Sequence, residues 1–132
     1  CWCLLKFNIN TCSYFCTTRD SISQTSKISS IDWKAPYTQS KIQMHRIGNI
    51  VICNGNVKFS QSGTCNYNVV DEIIPLGYRP ARDNTSIIFS MNGCFALLID
   101  AGNSGKVKAL GNPNNQYACC NGAWYTADAF PE

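Results

Sequence analysis

A chain of 132 residues, 45% hydrophobic and 14% charged, is long enough for one core, too short for two, and too apolar to stay disordered. Its net charge of +3 comes from eleven Lys and Arg spread from Lys6 to Lys108, with no cluster beyond Arg79-Pro80-Ala81-Arg82, which argues against nucleic acid as a partner. Uncharged stretches such as 7–18 are broken by Asn, Thr and Ser, so no segment reads as a membrane span or a signal peptide. The chain opens at Cys1 without a methionine and is expected to be a piece of a longer protein.

Leu5, Phe7 and Ile9 alternate with Lys6, Asn8 and Asn10, the period-two signature of a half-buried strand. Nine cysteines are an odd number at irregular spacing. Cys1, Cys3, Cys12 and Cys16 crowd one end and can either close on a zinc ion or form a local disulfide, although neither pair has the two-residue spacer usual for zinc. The third reading is small buried hydrophobes, which suits Cys53 and Cys94 in strand-like runs. Cys119-Cys120 points to opposite faces of a strand. The chemistry calls for no cofactor.

The stretch 17–30, rich in Ser and Thr, reads as a long loop or a weak edge strand. Ile31 and Trp33 flank Asp32 until Pro36 ends the run. Ile42 to Ile47 and Ile50 to Cys53 are separated by Gly48-Asn49, and a two-residue loop with Gly first predicts a type II′ hairpin. After Asn54-Gly55 the alternation resumes at Val57 and Phe59, which predicts a bulge in one bent strand in preference to a second hairpin. Tyr67 and Val69 lead into Ile73-Ile74-Pro75-Leu76-Gly77-Tyr78-Arg79-Pro80. Two prolines remove two backbone donors and Gly77 supplies a positive φ, so this run is a rigid corner, expected to join two sheets and display Tyr78 and Arg79.

Beyond the corner, Thr85, Ile87 and Phe89 share one strand face and Phe95, Leu97 and Ile99 another, with Met91-Asn92-Gly93 turning between them. Residues 100–105 turn into Val107 and Ala109, and 111–115 punctuate again. Gln116 to Cys120, Asn121-Gly122 and Ala123 to Phe130 read as a final hairpin with a type I′ turn. No window has a helical period. Roughly ten short strands bounded by turn signals predict an all-β, jelly-roll-like β-sandwich.

Four pieces in order resemble the C-terminal head domain of tail-tip and baseplate receptor-binding proteins from phages of Gram-positive bacteria. They are Arg46-Ile47-Gly48-Asn49-Ile50-Val51 with Gly55-Asn56-Val57, then 74–80, then Gly105-Lys106-Val107, then Trp124-Tyr125-Thr126-Ala127. Together they span 41–132, about two thirds of a single domain; residues 1–40 supply the N-terminal strands and long loop, and the first sixteen, rich in cysteine, lie outside the pattern. The resemblance implies a tumour-necrosis-factor-like jelly roll that forms a homotrimer with other tail proteins as neighbours. It also implies a place on the virion tail tip after assembly in the bacterial cytoplasm, and recognition of a host cell-wall saccharide.

Catalytic signatures are weak. No G-x-S-x-G elbow occurs, and the one histidine, His45, sits mid-strand beside Arg46 as a solvated or interface residue. Asp71-Glu72 is an adjacent carboxylate pair, which on a regular strand points to opposite faces and does not share a substrate. Gly102-Asn103-Ser104-Gly105-Lys106 has too short a spacer for a phosphate loop. The chain therefore reads as a non-enzyme. Sugars are held by an aromatic face against the C–H side and by planar polar groups at the hydroxyls. Exposed candidates, in or beside loop-like stretches, are Trp33, Tyr37, His45, Asp83 and Tyr117, with Tyr78 and Arg79 beside them. Trp33 and Trp124 also alternate as core residues do, and Arg79 and Asp83 can pair with each other. The other functions open to such a chain are a structural tail or baseplate module and a secreted cytokine-like trimeric domain.

Overall fold

The computed structural model describes residues 27–101 and 104–131, and among them every regular element is a strand. The strands are β1 (Ile28–Lys34), β2 (Lys41–Ile47), β3 (Ile50–Lys58), β4 (Cys65–Ile73), β5 (Thr85–Ser90), β6 (Phe95–Ile99), β7 (Lys106–Gly111) and β8 (Tyr117–Tyr125). They form one antiparallel sheet in the order β1-β2-β3-β8-β5-β6-β7-β4. The strand expected at 5–9 and the zinc or disulfide alternatives at Cys1, Cys3, Cys12 and Cys16 lie outside the described residues.

Alternation decides what the sheet encloses. Ile42, Met44, Val51, Cys53, Val57, Ile87, Phe89, Phe95, Leu97, Ile99, Val107 and Ala109 all point inward and form one buried cluster. Phe59, Phe89 and Phe95 pack at ring separations of 5.0–5.7 Å, edge to face at Phe59. The sheet curls until its two edge strands face each other. Side chains then bridge them: Trp33 Nε1 of β1 donates to the Ile73 carbonyl of β4 at 2.8 Å, and Lys34 Nζ meets Glu72 Oε2 at 2.6 Å.

The corner at 73–80 does not link two separate sheets; it carries the chain from edge strand β4 to β5 within the same sheet. It is fastened from several sides. Trp33 holds Ile73, Trp124 Nε1 donates to the Tyr78 carbonyl at 2.8 Å, and Asp128 Oδ2 accepts from the Gly77 and Arg79 amides. Tyr78 is not displayed. Its ring is buried and its hydroxyl shares a 2.6 Å hydrogen bond with Ser29 Oγ.

Arg46 lies beneath the corner, 2% exposed, and all five of its N–H donors are used. Nε donates to Gly48 O, Nη1 to Gly77 O and Ala129 O, and Nη2 to Asp128 O and Asn49 Oδ1. The Phe130 ring covers the guanidinium at 5.0 Å.

Three further readings of the sequence are corrected. Asn121-Gly122 is no hairpin turn: β8 runs straight through it, paired with β3 without a break from Ile50↔Tyr125 to Lys58↔Tyr117. Local turn propensity yields because Gly122 passes against Ile87 and Trp124, where even a Cβ would be crowded. That same unbroken register rules out the bulge expected at Asn54-Gly55. In β4, to which the sequence assigned no inward face, Tyr67 and Val69 are exposed and Val70 is buried, with register shifts around Tyr67 and after Val69. Cys94 sits in the β5–β6 turn and is exposed, whereas Cys53 is buried as expected. Cys119 is exposed and Cys120 buried, opposite faces as the strand period requires. The Gly48-Asn49 loop is as read, with Gly48 at φ +59°.

Replacing Arg46 by Ala would strip four carbonyls, one buried and three part-buried, of their donor and is expected to cost about 3–5 kcal/mol, with Lys giving little rescue because one ammonium cannot reach three segments. Urea denaturation checks this. A loss below about 1 kcal/mol would mean that the corner stands without the guanidinium.

Candidate functional site

The groove with the chemistry closest to sugar recognition lies on the seam where the curled sheet closes. It has a volume of about 250 Å³ and is lined by Tyr37, Val69, Val70, Asp71 and Glu72. Tyr37 comes from the β1–β2 connection, which Pro36 forces away from β1, and the other four come from β4. Asp71 and Glu72 line one groove despite being adjacent, contrary to the expectation from strand geometry. The β4 register slips between Val69↔Lys108 and Ile73↔Lys106, so the strict two-residue alternation is lost where the carboxylates sit.

Tyr37 is held in a backbone conformation rare for an aromatic residue, with φ +64°. Its carbonyl accepts from the Ser60 amide at 2.9 Å and from Ser60 Oγ at 3.1 Å, which fixes that conformation. The ring leans on Phe95 at 6.3 Å, and Cys65 Sγ lies 3.8 Å from the hydroxyl as a donor. Burial pushes the phenol up to about 12, helped by the Cys65 hydrogen bond, the Cys65 charge and then the charge of Glu72. The hydroxyl therefore keeps its proton as a donor. Glu72 is tied to Lys34, while Asp71 is exposed. An aromatic ring with its hydroxyl beside two carboxylates can pack on the C–H side of a sugar and bond its hydroxyls. A volume below the ~300–1,000 Å³ of drug-sized pockets suits the end of a glycan.

The other sequence candidates are scattered. Trp33 is core: it is 6% exposed and its indole is spent on the Ile73 carbonyl, so it supports the seam from inside. His45 lies half-buried on the outer face of β2, with Nδ1 2.8 Å from Ser30 Oγ. Asp83 is exposed and accepts from the Ala101 amide at 2.6 Å. Arg79 Nε donates to the Ile74 carbonyl inside the corner. Tyr117 is 72% exposed at the start of β8, with Lys58 Nζ 5.5 Å from its ring centre. Only Tyr37 belongs to the groove. Val69, Val70, Asp71 and Glu72 were not among the candidates, and the pair Asp71-Glu72 was their one visible signal. A second groove of about 220 Å³, around Ile88, Ala96 and Leu110 with Cys94 at its rim, is mostly apolar and offers a sugar little to bond.

Comparison with protein families, curated proteins and solved structures finds no match to this chain.

The phenol gives a titration test. A folded-state value raised from 10 to about 12 means that the native protein holds this proton longer than the unfolded chain. Tyr37 thus adds stability that is complete below pH 10 and is lost as pH rises toward 12. Absorbance at the phenolate band should show one late-ionising tyrosine, absent in Tyr37→Phe.

Proposed function

We propose that the chain is the receptor-binding head of a phage tail protein, which holds a host cell-surface saccharide in the Tyr37–Asp71–Glu72 groove without cleaving it. The observation that carries the proposal is the groove itself, where a strained tyrosine and two carboxylates meet on the seam of a curled all-β sheet. Support also comes from the resemblance: its pieces coincide with structural nodes, since Arg46, Gly77, Trp124 and the corner all meet in one hydrogen-bonded assembly. In this reading the curled sheet is a jelly roll of the tumour-necrosis-factor-like kind, assembled as a homotrimer at the tail tip. Glu72 is engaged by Lys34 and His45 by Ser30, an arrangement suited to holding a ligand and not to moving protons.

The five described cysteines are free thiols, which favours assembly in a reducing cytoplasm over the secreted cytokine-like alternative. Single polar contacts of this kind contribute about 1 kcal/mol net, so one site is expected in the micromolar-to-millimolar range, and several sites on one tail raise the avidity.

Glycan-array screening followed by titration tests the proposal. Asp71→Ala and Tyr37→Ala are expected to weaken saccharide binding about fivefold or more, while Asp83→Ala and Tyr117→Ala leave it unchanged. Melting curves separate binding from folding, and Asp71→Ala, at an exposed position, should melt with the parent. If no wall saccharide binds, the structural-module function replaces this one.

A further inference from the structure

The outer surface of the sheet has two distinct ends. At the end where the β2–β3 hairpin turns, the register aligns Ile28, Ile47, Ile50 and Tyr125 in one row across β1, β2, β3 and β8. These four side chains are 40–69% exposed. The next row on the same face is Ser30, His45, Ile52 and Ala123. The third turns polar, with Asp32, Gln43, Asn54 and Asn121.

We propose that the first two rows are the surface on which a second copy of this chain packs. The surface stands on this geometry alone; that the assembly is a trimer rests on the reading above. Three features favour a copy of the same chain. Neither row holds a Lys, Arg, Asp or Glu in a chain that has nineteen, so copies each carrying +3 can meet there without opposed like charges. A row of bulky side chains lies beside one that is small at Ser30 and Ala123, so the bulky row of one copy can settle over the small row of the next. The exposed apolar side chains present on the order of 500 Å², and the flanking polar groups bring the face toward the ~800 Å² per partner of a stable interface. Strand addition is less suited, since the ends of β1 and β4 are already bridged by the Trp33–Ile73 hydrogen bond and the Lys34–Glu72 pair.

Sedimentation velocity on the full chain, from about 1 to 100 μM, tests this. The parent is expected to self-associate. Ile50→Thr and Ile52→Thr, which keep a β-branched side chain, should raise the dissociation constant about tenfold each. Leu76→Thr, at a position equally apolar and more exposed but on the corner, should leave it unchanged. Circular dichroism confirms folding, and a parent-only measurement, paramagnetic broadening of the Ile methyl signals, reports whether the rows are covered should a variant misfold. A monomeric parent at 100 μM, rows that stay open to the paramagnetic probe, or association indifferent to folded Ile50 and Ile52 variants would overturn the proposal. Monomeric variants should still bind saccharide at each groove, so loss of assembly and failure of the saccharide reading are separable.

Discussion

Arg46 carries a permanent charge into a place where water cannot reach it, and the desolvation of a guanidinium costs several kcal/mol unless every donor is met. Here each is met, and none of the five acceptors is a carboxylate: four are backbone carbonyls and one is the Asn49 amide oxygen. Those acceptors come from the β2–β3 turn, the proline corner and the C-terminal segment. One side chain thereby ties three stretches that are far apart in sequence. Asp128 completes the arrangement from the other side, its carboxylate receiving the Gly77 and Arg79 amides while its carbonyl receives Arg46.

Consequences run outward from that node. With the corner fixed, Ile73 is held where the Trp33 indole can reach its carbonyl, and the two edge strands are brought together. Closure by side chains leaves a seam that is bridged but not filled by backbone pairing, and the groove of Tyr37, Asp71 and Glu72 lies on it. The same two contacts, Trp33 to Ile73 and Lys34 to Glu72, tie down one end of each edge strand. In the proposed assembly the contact is made by the outer face, where Ile28, Ile47, Ile50 and Tyr125 stand exposed.

The fold was legible wherever local pattern and long-range pairing agree. The β2–β3 hairpin, the inward faces of β5 and β6, and the corner itself follow from alternation, Gly48 and the two prolines. Reading failed where pairing overrides local chemistry. Asn121-Gly122 has every local mark of a turn, yet β3 holds it in a strand. Cys94 looks like a core residue by composition, but the β5–β6 loop ends one residue later than the alternation implies. The groove was half legible: Tyr37 stood out as a loop aromatic after a proline, while Asp71 and Glu72 were dismissed by a strand rule that a register slip suspends. Arg46 left no signal of its role, because its partners are carbonyls, which every residue has.

Saccharide recognition at the seam is tested most directly by mapping. Titrating isotope-labelled protein with host wall saccharide fragments while recording amide shifts should perturb Tyr37 and 69–72 first and leave Asp83 and Tyr117 in place. Perturbations centred on Tyr117 or the corner loop, or none with any wall fragment, would contradict the assignment of the groove.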